Sequence, residues 1–213
     1  MSPATIVVTI SASYGAGGSV IGPAVAERLG VPFADRAIPA AVAEAMSVPL
    51  KEAMSRDEQP PTMLQRILAA MAASSMDDTG FADLAGSRDP TQAYEAETRK
   101  AIRQLASTGA VILGRGAALV LAGHPGAVHV RLDGPVEARL ARAMEAPGTD
   151  APTTRRQLES NDRARLAYVR HFHRADPTDR RHYHLTIEST RFDIATCVDI
   201  VVAAAEGGRT GPL

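Results

Sequence analysis

Residues 5 to 11 read TIVVTIS, an apolar, β-branched run with no polar alternation. A strand of that composition is buried on both faces, and a parallel sheet covered by helices on both sides is the architecture that buries strands in this way. The pattern recurs along the chain. The run is followed by a glycine cluster and then by SVIGPAVAERLG (19–30), whose Ile21, Val25, Ala26 and Leu29 share a helix face that ends at the C-capping glycine Gly30. VPF (32–34), AVILG (110–114), AVHVRL (127–132) and HLTIE (184–188) read as further strands. Between them lie the helical patterns TQAYEAETRKAIRQLAST (91–108), AALVLA, PVEARLARAME (135–145) and DIATCVDIVVAAAE (193–206). Strands alternating with helices predict a three-layer α/β domain on a parallel sheet. Pro23 is comfortable only if its helix begins late enough to place it in the unpaired first turn.

At 213 residues the chain is sized for a single domain, residues 1–213, interrupted by two segments. Residues 37–75 suggest short helices and 74–90 a Gly-, Ser- and Asp-rich loop, so 37–90 reads as an insertion; 146–181 is polar and arginine-rich. Aromatic residues are only 4% and Trp is absent, so the core is built from Ala, Val, Leu and Ile. A net charge of −1 gives no footprint for nucleic acid or an anionic membrane. Of 23 basic side chains all but Lys51 and Lys100 are arginine, the residue that grips phosphate with two parallel hydrogen bonds. Cys197, alone of its kind, excludes an intrachain disulfide and a cysteine metal cluster. The N-terminal apolar run is too short for a signal peptide or membrane span, so the expectation is a soluble cytoplasmic protein; a homodimer is compatible with the sequence.

The glycine cluster SASYGAGGS (11–19) has three readings. Laid on the phosphate-loop pattern G-x-x-x-x-G-K-[ST], residues 12–19 match at Gly17 and Ser19 and fail at Ala12 and Gly18, where the pattern carries glycine and lysine. Laid on the dinucleotide pattern G-x-G-x-x-G, Gly15 and Gly17 match, Val20 does not, and Asp35 stands about 20 residues on, as a ribose-binding acid would. The third reading is a structural turn. Residues 11–19 alone do not separate them.

The distal half does. YEAETRKAIRQLASTGAVILGRGAALVL, with its long helix, buried strand and G-R-G turn, resembles the cytidylate kinase-like family of P-loop nucleoside monophosphate kinases. The likeness extends through AERLGVPFADR and VHVRLDGPVEARLARAME. It continues with Asp162, Arg165 and Tyr168 in a D-x-x-R-x-x-Y spacing, and with Asp179, Tyr183 and Leu185 in D-x-x-x-Y-D-L, where His184 replaces the second Asp. Loops of that family commonly lack the lysine, so Gly18 is in keeping with it. The likeness fades over roughly residues 40 to 90.

The resemblance implies a P-loop NTPase fold of the nucleoside monophosphate kinase type, with 37–90 a helical acceptor-binding insertion and 146–181 a lid. It implies transfer of the γ-phosphoryl of ATP to CMP or another small phosphate-bearing acceptor, with Mg²⁺. ATP is expected over Gly15, Ala16, Gly17, Gly18 and Ser19, with the Ser19 hydroxyl available to Mg²⁺. Asp35, Arg36 and Arg115 are the expected acceptor contacts, Arg115 meeting the acceptor's phosphate. Phosphoryl transfer needs positive charge at the transferred group more than covalent help. Asp162, Arg163 and Arg165 in the lid and Arg142 on the preceding helix are therefore the expected catalytic set, with Arg139 on the same face as Arg142. Two other functions compete: a nucleotide-binding regulatory module without turnover, and an NAD(P)-binding oxidoreductase. The i, i+2 spacing of His171 with His173 and of His182 with His184 is poor for zinc, and no G-x-S-x-G elbow supports a hydrolase.

Overall fold

The computed structural model describes residues 5–35, 90–146 and 148–207, together with the side chains of all of these except 90–94 and 97. The insertion expected over 37–90, and Arg36 before it, lie outside the described residues apart from Pro90. Among the described residues five parallel strands form one sheet: β1 (Val7–Ala12), β2 (Phe33–Asp35), β3 (Ala110–Leu113), β4 (Ala127–Asp133) and β5 (Leu185–Glu188). Their order is β2-β3-β1-β4-β5. The central β1 pairs with β3 from Val7↔Ala110 to Ile10↔Leu113 and with β4 from Val7↔Ala127 to Ala12↔Leu132. Being flanked on both sides, β1 is buried through Val7, Val8, Thr9 and Ile10, as its unbroken apolar pattern requires. A dinucleotide-binding sheet places its second strand beside the first. Here β3 holds that place, so the oxidoreductase reading falls.

Helices cover both faces. On one, α1 (Gly18–Leu29) and the C-terminal α6 (Ile194–Gly207) pack Ile21, Val25, Cys197, Val198 and Val201 against β1, β3, β4 and β5. On the other, α2 (Pro90–Thr108) and the one-turn α3 (Ala117–Val120) close over Val7, Ala110 and Ile112 with Ile102 and Ala106. Gly30 caps α1 at φ 65°, as its position predicts. Pro23, by contrast, lies inside α1 rather than in its first turn. It withdraws the i+4 bond that the carbonyl of Ser19 would otherwise accept, at the end of the helix nearest the glycine loop.

Two more helices follow β4: α4 (Val136–Ala143) and α5 (Ala151–His173). The stretch that reads in sequence only as polar and arginine-rich is thus largely one 23-residue helix. Asp150 caps it by accepting from the Thr153 amide at 3.0 Å, with Pro152 in the first turn. Its buried residues, among them Leu158, Ala164, Ala167, Tyr168 and Phe172, are few enough to be hidden in the composition. Among the described residues no helix is long and apolar enough to cross a membrane.

Candidate functional site

The C-terminal ends of β1, β3 and β4 open into one cavity of about 940 Å³, the place where ligands bind in parallel α/β sheets. Its floor is the loop between β1 and α1. Gly15 takes φ 75°, and a side chain there would run into the backbone carbonyl of Arg139. Gly17 takes φ 81° and caps α1. The amides of Ser13, Tyr14 and Ala16 are spent on Leu132 O, Asp162 Oδ1 and Ser13 O, at 3.1, 2.9 and 3.1 Å. Those of Gly15, Gly17, Gly18 and Ser19 bond to nothing among the described residues. Four open N–H groups at a helix N-terminus form a cradle for an anion.

The loop also shows why lysine is missing. A Cβ built on Gly18 would lie 2.6 Å from the Ala12 methyl and 3.2 Å from Leu113 Cδ1. Ala12 stands where the common pattern has its first glycine, so its methyl occupies the space a lysine stem would need. The two departures from the pattern are complementary.

Positive charge enters from the opposite wall, on α4 and α5. Arg139 is buried, and its Nε and Nη1 are both spent on the protein. Its Nε donates to Gly134 O at 2.9 Å, while its Nη1 donates to Tyr14 O at 2.8 Å and Asp162 Oδ2 at 2.7 Å. Arg142, one turn further on, is different. Its Nη2 donates to the carbonyls of Ser189 (2.8 Å) and Phe192 (3.1 Å), but its Nη1 is buried with no hydrogen-bond partner among the described residues. That nitrogen lies over the loop, 3.4 Å from where a Gly17 Cβ would be.

Arg165 also keeps a buried Nη1 without a hydrogen bond, 3.8 Å from Asp162 Oδ1. Burial lowers the pKa of its guanidinium, Asp162 and Asp35 oppose that, and Arg139 adds to it. Asp162 accepts from Tyr14 N–H as well as from Arg139, so it fastens α5 to the loop. Arg163 is exposed on the cavity rim and pairs loosely with Glu159 at 3.8 Å. Arg115 projects from the turn after β3 in a left-handed conformation, φ 53°, and lines the cavity together with Asp35 from the end of β2.

Arg131 and Asp133, at the end of β4, also line the cavity and are absent from the sequence-based set. Arg131 donates to Asp133 Oδ2 (2.6 Å), Ser13 Oγ (3.3 Å) and Pro177 O (2.9 Å). Burial acts to raise the Asp133 pKa, but the Gly134 amide and Arg131 outweigh it and hold it below the ordinary range. The available signal was two charged residues closing a buried strand at its ligand-binding end. His184, which stands where the resembled pattern has Asp, lies outside the cavity lining and stacks on His129 with centroids 4.8 Å apart.

This arrangement can hold a polyphosphate: open amides beneath it and an unsatisfied guanidinium above. Among the described residues no group of three or more His, Cys, Asp and Glu is arranged to hold a metal ion. Mg²⁺ needs no such cage, since it usually keeps several waters and binds through one or two protein oxygens plus substrate phosphates. The exposed Ser19 hydroxyl on the cavity wall meets that requirement.

Residues 7–191 match the cytidylate kinase-like family. A cytidylate kinase of Methanopyrus kandleri is 30% identical over 113 residues, which is 49% of this chain and 58% of that enzyme. The match thus spans little more than half of the curated relative. An uncharacterized protein from Eubacterium ventriosum has a crystal structure that superposes with a TM-score of 0.65 at 19% identity, covering 95% of this chain and 99% of that one. It shows the same fold. Shikimate kinase from Bacteroides thetaiotaomicron is more distant, with a TM-score of 0.47 at 13% identity over 94% and 98% of the two chains, and adds nothing to that.

Proposed function

The chain belongs to the cytidylate kinase-like family, a family of nucleotide kinases, and from that premise we propose that it is an active ATP-dependent phosphotransferase whose acceptor is CMP or another small phosphate-bearing molecule. One observation carries the reading: two guanidinium nitrogens, Arg142 Nη1 and Arg165 Nη1, are buried without hydrogen-bond partners among the described residues, beside a cavity floored by open amides. A buried cationic donor left unmade is costly, and an anion is what relieves it.

In this reading the triphosphate of ATP lies over Gly15 to Ser19 and receives their N–H groups. Arg142, reaching the loop from above, takes the place of the absent lysine. The Ser19 hydroxyl would help to hold Mg²⁺, which would supply positive charge to the phosphates. Arg115 and Asp35 face the acceptor, and Arg165 stands where its cation meets the phosphoryl group in transit. Asp162 positions Arg139 and Arg165 relative to the loop. Arg163 contributes long-range positive potential at the rim. The reading is of a soluble cytoplasmic enzyme acting on small nucleotides.

A coupled assay of ADP release across nucleoside monophosphates tests this, with CMP expected to support turnover. Replacing Arg115 with Ala should raise the acceptor KM about tenfold or more, as expected for a lost charged hydrogen bond. Replacing Arg165 with Ala should chiefly lower kcat. Tight ATP binding with no turnover on any acceptor would sink the kinase reading. It would favour a nucleotide-binding module without catalysis, to which the lysine-free loop also lends itself.

A further inference from the structure

The histidine at the C-terminal end of α5 has no part in the mechanism above, yet it touches the acceptor turn directly. His173 Nε2 lies 3.1 Å from the carbonyl oxygen of Arg115. A carbonyl only accepts, so Nε2 carries the proton and the ring is the Nε2–H tautomer. The other nitrogen, Nδ1, is buried with no hydrogen-bond partner among the described residues. The ring also lies so close to Gly116 that any side chain there would collide with it.

The turn it holds is under backbone strain. Gly114, Arg115 and Gly116 take φ 81°, 53° and 66°, three left-handed residues in succession. For the two glycines this is free; for Arg115 it is disfavoured and persists only where the surroundings hold it. The turn's own bonds, Gly114 N to Ile10 O at 2.9 Å and Ala117 N to Gly114 O at 3.1 Å, fix its two ends. The Arg115 carbonyl between them is the group that His173 holds.

His173 also connects this turn to the nucleotide loop. It stands eleven positions after Asp162 on α5, close to three helical turns, so the two side chains share a face. Asp162 accepts from the loop amide of Tyr14, and His173 donates to the turn carbonyl of Arg115. One helix thus grips both halves of the cavity. Burial lowers the pKa of the ring, the Arg115 carbonyl acts to raise it, Arg99 of α2 lowers it, and Glu95, paired with Arg99 at 2.9 Å, raises it. The net effect favours the neutral ring, in keeping with an Nδ1 that has no hydrogen-bond partner among the described residues.

We infer that His173 is a positioning residue for acceptor binding: its Nε2–H, bonded to the Arg115 carbonyl, holds the G-R-G turn in the left-handed form that presents the Arg115 guanidinium to the phosphate of a nucleoside monophosphate. The inference rests on the reading of Arg115 as the acceptor-phosphate contact.

The test uses the full chain and two variants. His173→Leu removes the donor and keeps the bulk. His173→Gln restores a neutral N–H donor at similar reach. CMP and ATP are titrated separately by calorimetry, and hydrogen exchange is followed at the Ala117 and Leu119 amides, which bond to the turn carbonyls of Gly114 and Gly116. Loss of one buried hydrogen bond predicts CMP affinity about tenfold weaker in His173→Leu, ATP affinity within about twofold, and exchange about tenfold faster. His173→Gln should recover most of both effects. Unchanged exchange in His173→Leu overturns the proposal. So does a glutamine variant as impaired as leucine, or a parallel loss of ATP affinity. If the wild-type protein binds no CMP, the acceptor reading fails by itself, and the exchange rates still decide whether His173 holds the turn.

Discussion

The two walls of the cavity are built by different means. The loop wall is backbone: left-handed glycines, four open amides and a helix N-terminus, with no side-chain charge from Gly15 to Ser19. The α4–α5 wall is side chain: arginines whose partners differ although they stand a turn apart. Arg139 spends Nε and Nη1 on acceptors within the protein, whereas Arg142 keeps a buried Nη1 without a hydrogen bond among the described residues. A site built from backbone is rigid and neutral and needs its charge brought to it. In the common phosphate loop one lysine carries that charge within the loop itself. Here the alanine at 12 closes that route, and in the proposed reading the charge comes from across the cavity.

The sharpest way to break this contrast is to remove the charge. Arg142→Ala should lower kcat about 10²- to 10³-fold, the usual effect of losing one preorganised donor at a transition state, and should cost less stability than Arg139→Ala. Arg142→Lys should recover only part, because an ammonium lacks the guanidinium fork that holds Ser189 and Phe192. If Arg142→Ala turns over normally in steady-state assays, the loop works without help from this arginine.

Arg139→Ala should act on stability instead. It leaves Asp162 and the carbonyls of Tyr14 and Gly134 without their donor, and breaking a buried ion pair costs about 3 kcal/mol. Urea unfolding measures it. Equal loss of stability in the Arg139 and Arg142 variants would erase the distinction between the two arginines.

The loop wall has its own handle, pH. His129 accepts from or donates to Thr9 Oγ1 at 2.8 Å, and Thr9 belongs to the strand that leads into the loop. Burial, then His184 and more weakly His124, push the His129 pKa from 6.5 to about 4, although a hydrogen bond donated to the Leu121 backbone works the other way. The unfolded chain therefore binds the proton first. This contribution to stability is complete above pH 6.5, declines as pH falls toward 4, and is gone below that, a loss on the order of 3 kcal/mol. Unfolding midpoints of wild type and His129→Asn between pH 7 and 4 check it; the variant should show a flatter profile.

The smallest expected effect is the most specific to the loop. Gly18→Lys should destabilise by about 1–3 kcal/mol, as overpacking does, because its Cβ meets the Ala12 methyl. Adding Ala12→Gly should return most of that loss in thermal unfolding. A single Gly18→Lys variant as stable as wild type would show that the two positions are independent.

Much of this molecule could be read in advance, and the exceptions have physical causes. The five described strands fall within a residue or two of where their apolar runs predict, since a strand covered on both faces leaves an unbroken signature. The helix of 91–108 was equally legible from its periodicity. Helix α5 was not, because one sparse apolar face is diluted by the arginines and histidines of the other. Pro23 misled in the opposite sense, since a tertiary contact surface held α1 together across the lost hydrogen bond. In the candidate site, glycine positions and the presence of arginines were visible; which arginine was already committed was not. Arg131 and Asp133 are not legible as site residues, because a charge inside a strand pattern reads as a solvated residue until the strand's end is known to face a cavity.

By itself the sequence determined the parallel α/β layering and the place of the glycine turn that forms the cradle, because both follow from local pattern: continuous apolar runs, and glycines where φ is positive. Only the tertiary structure decided the division of labour around that cradle. Whether Gly18 can be replaced depends on a methyl six residues away across the loop, and whether an arginine is free depends on carbonyls more than forty residues distant. Those are contacts in space, and no spacing along the chain encodes them.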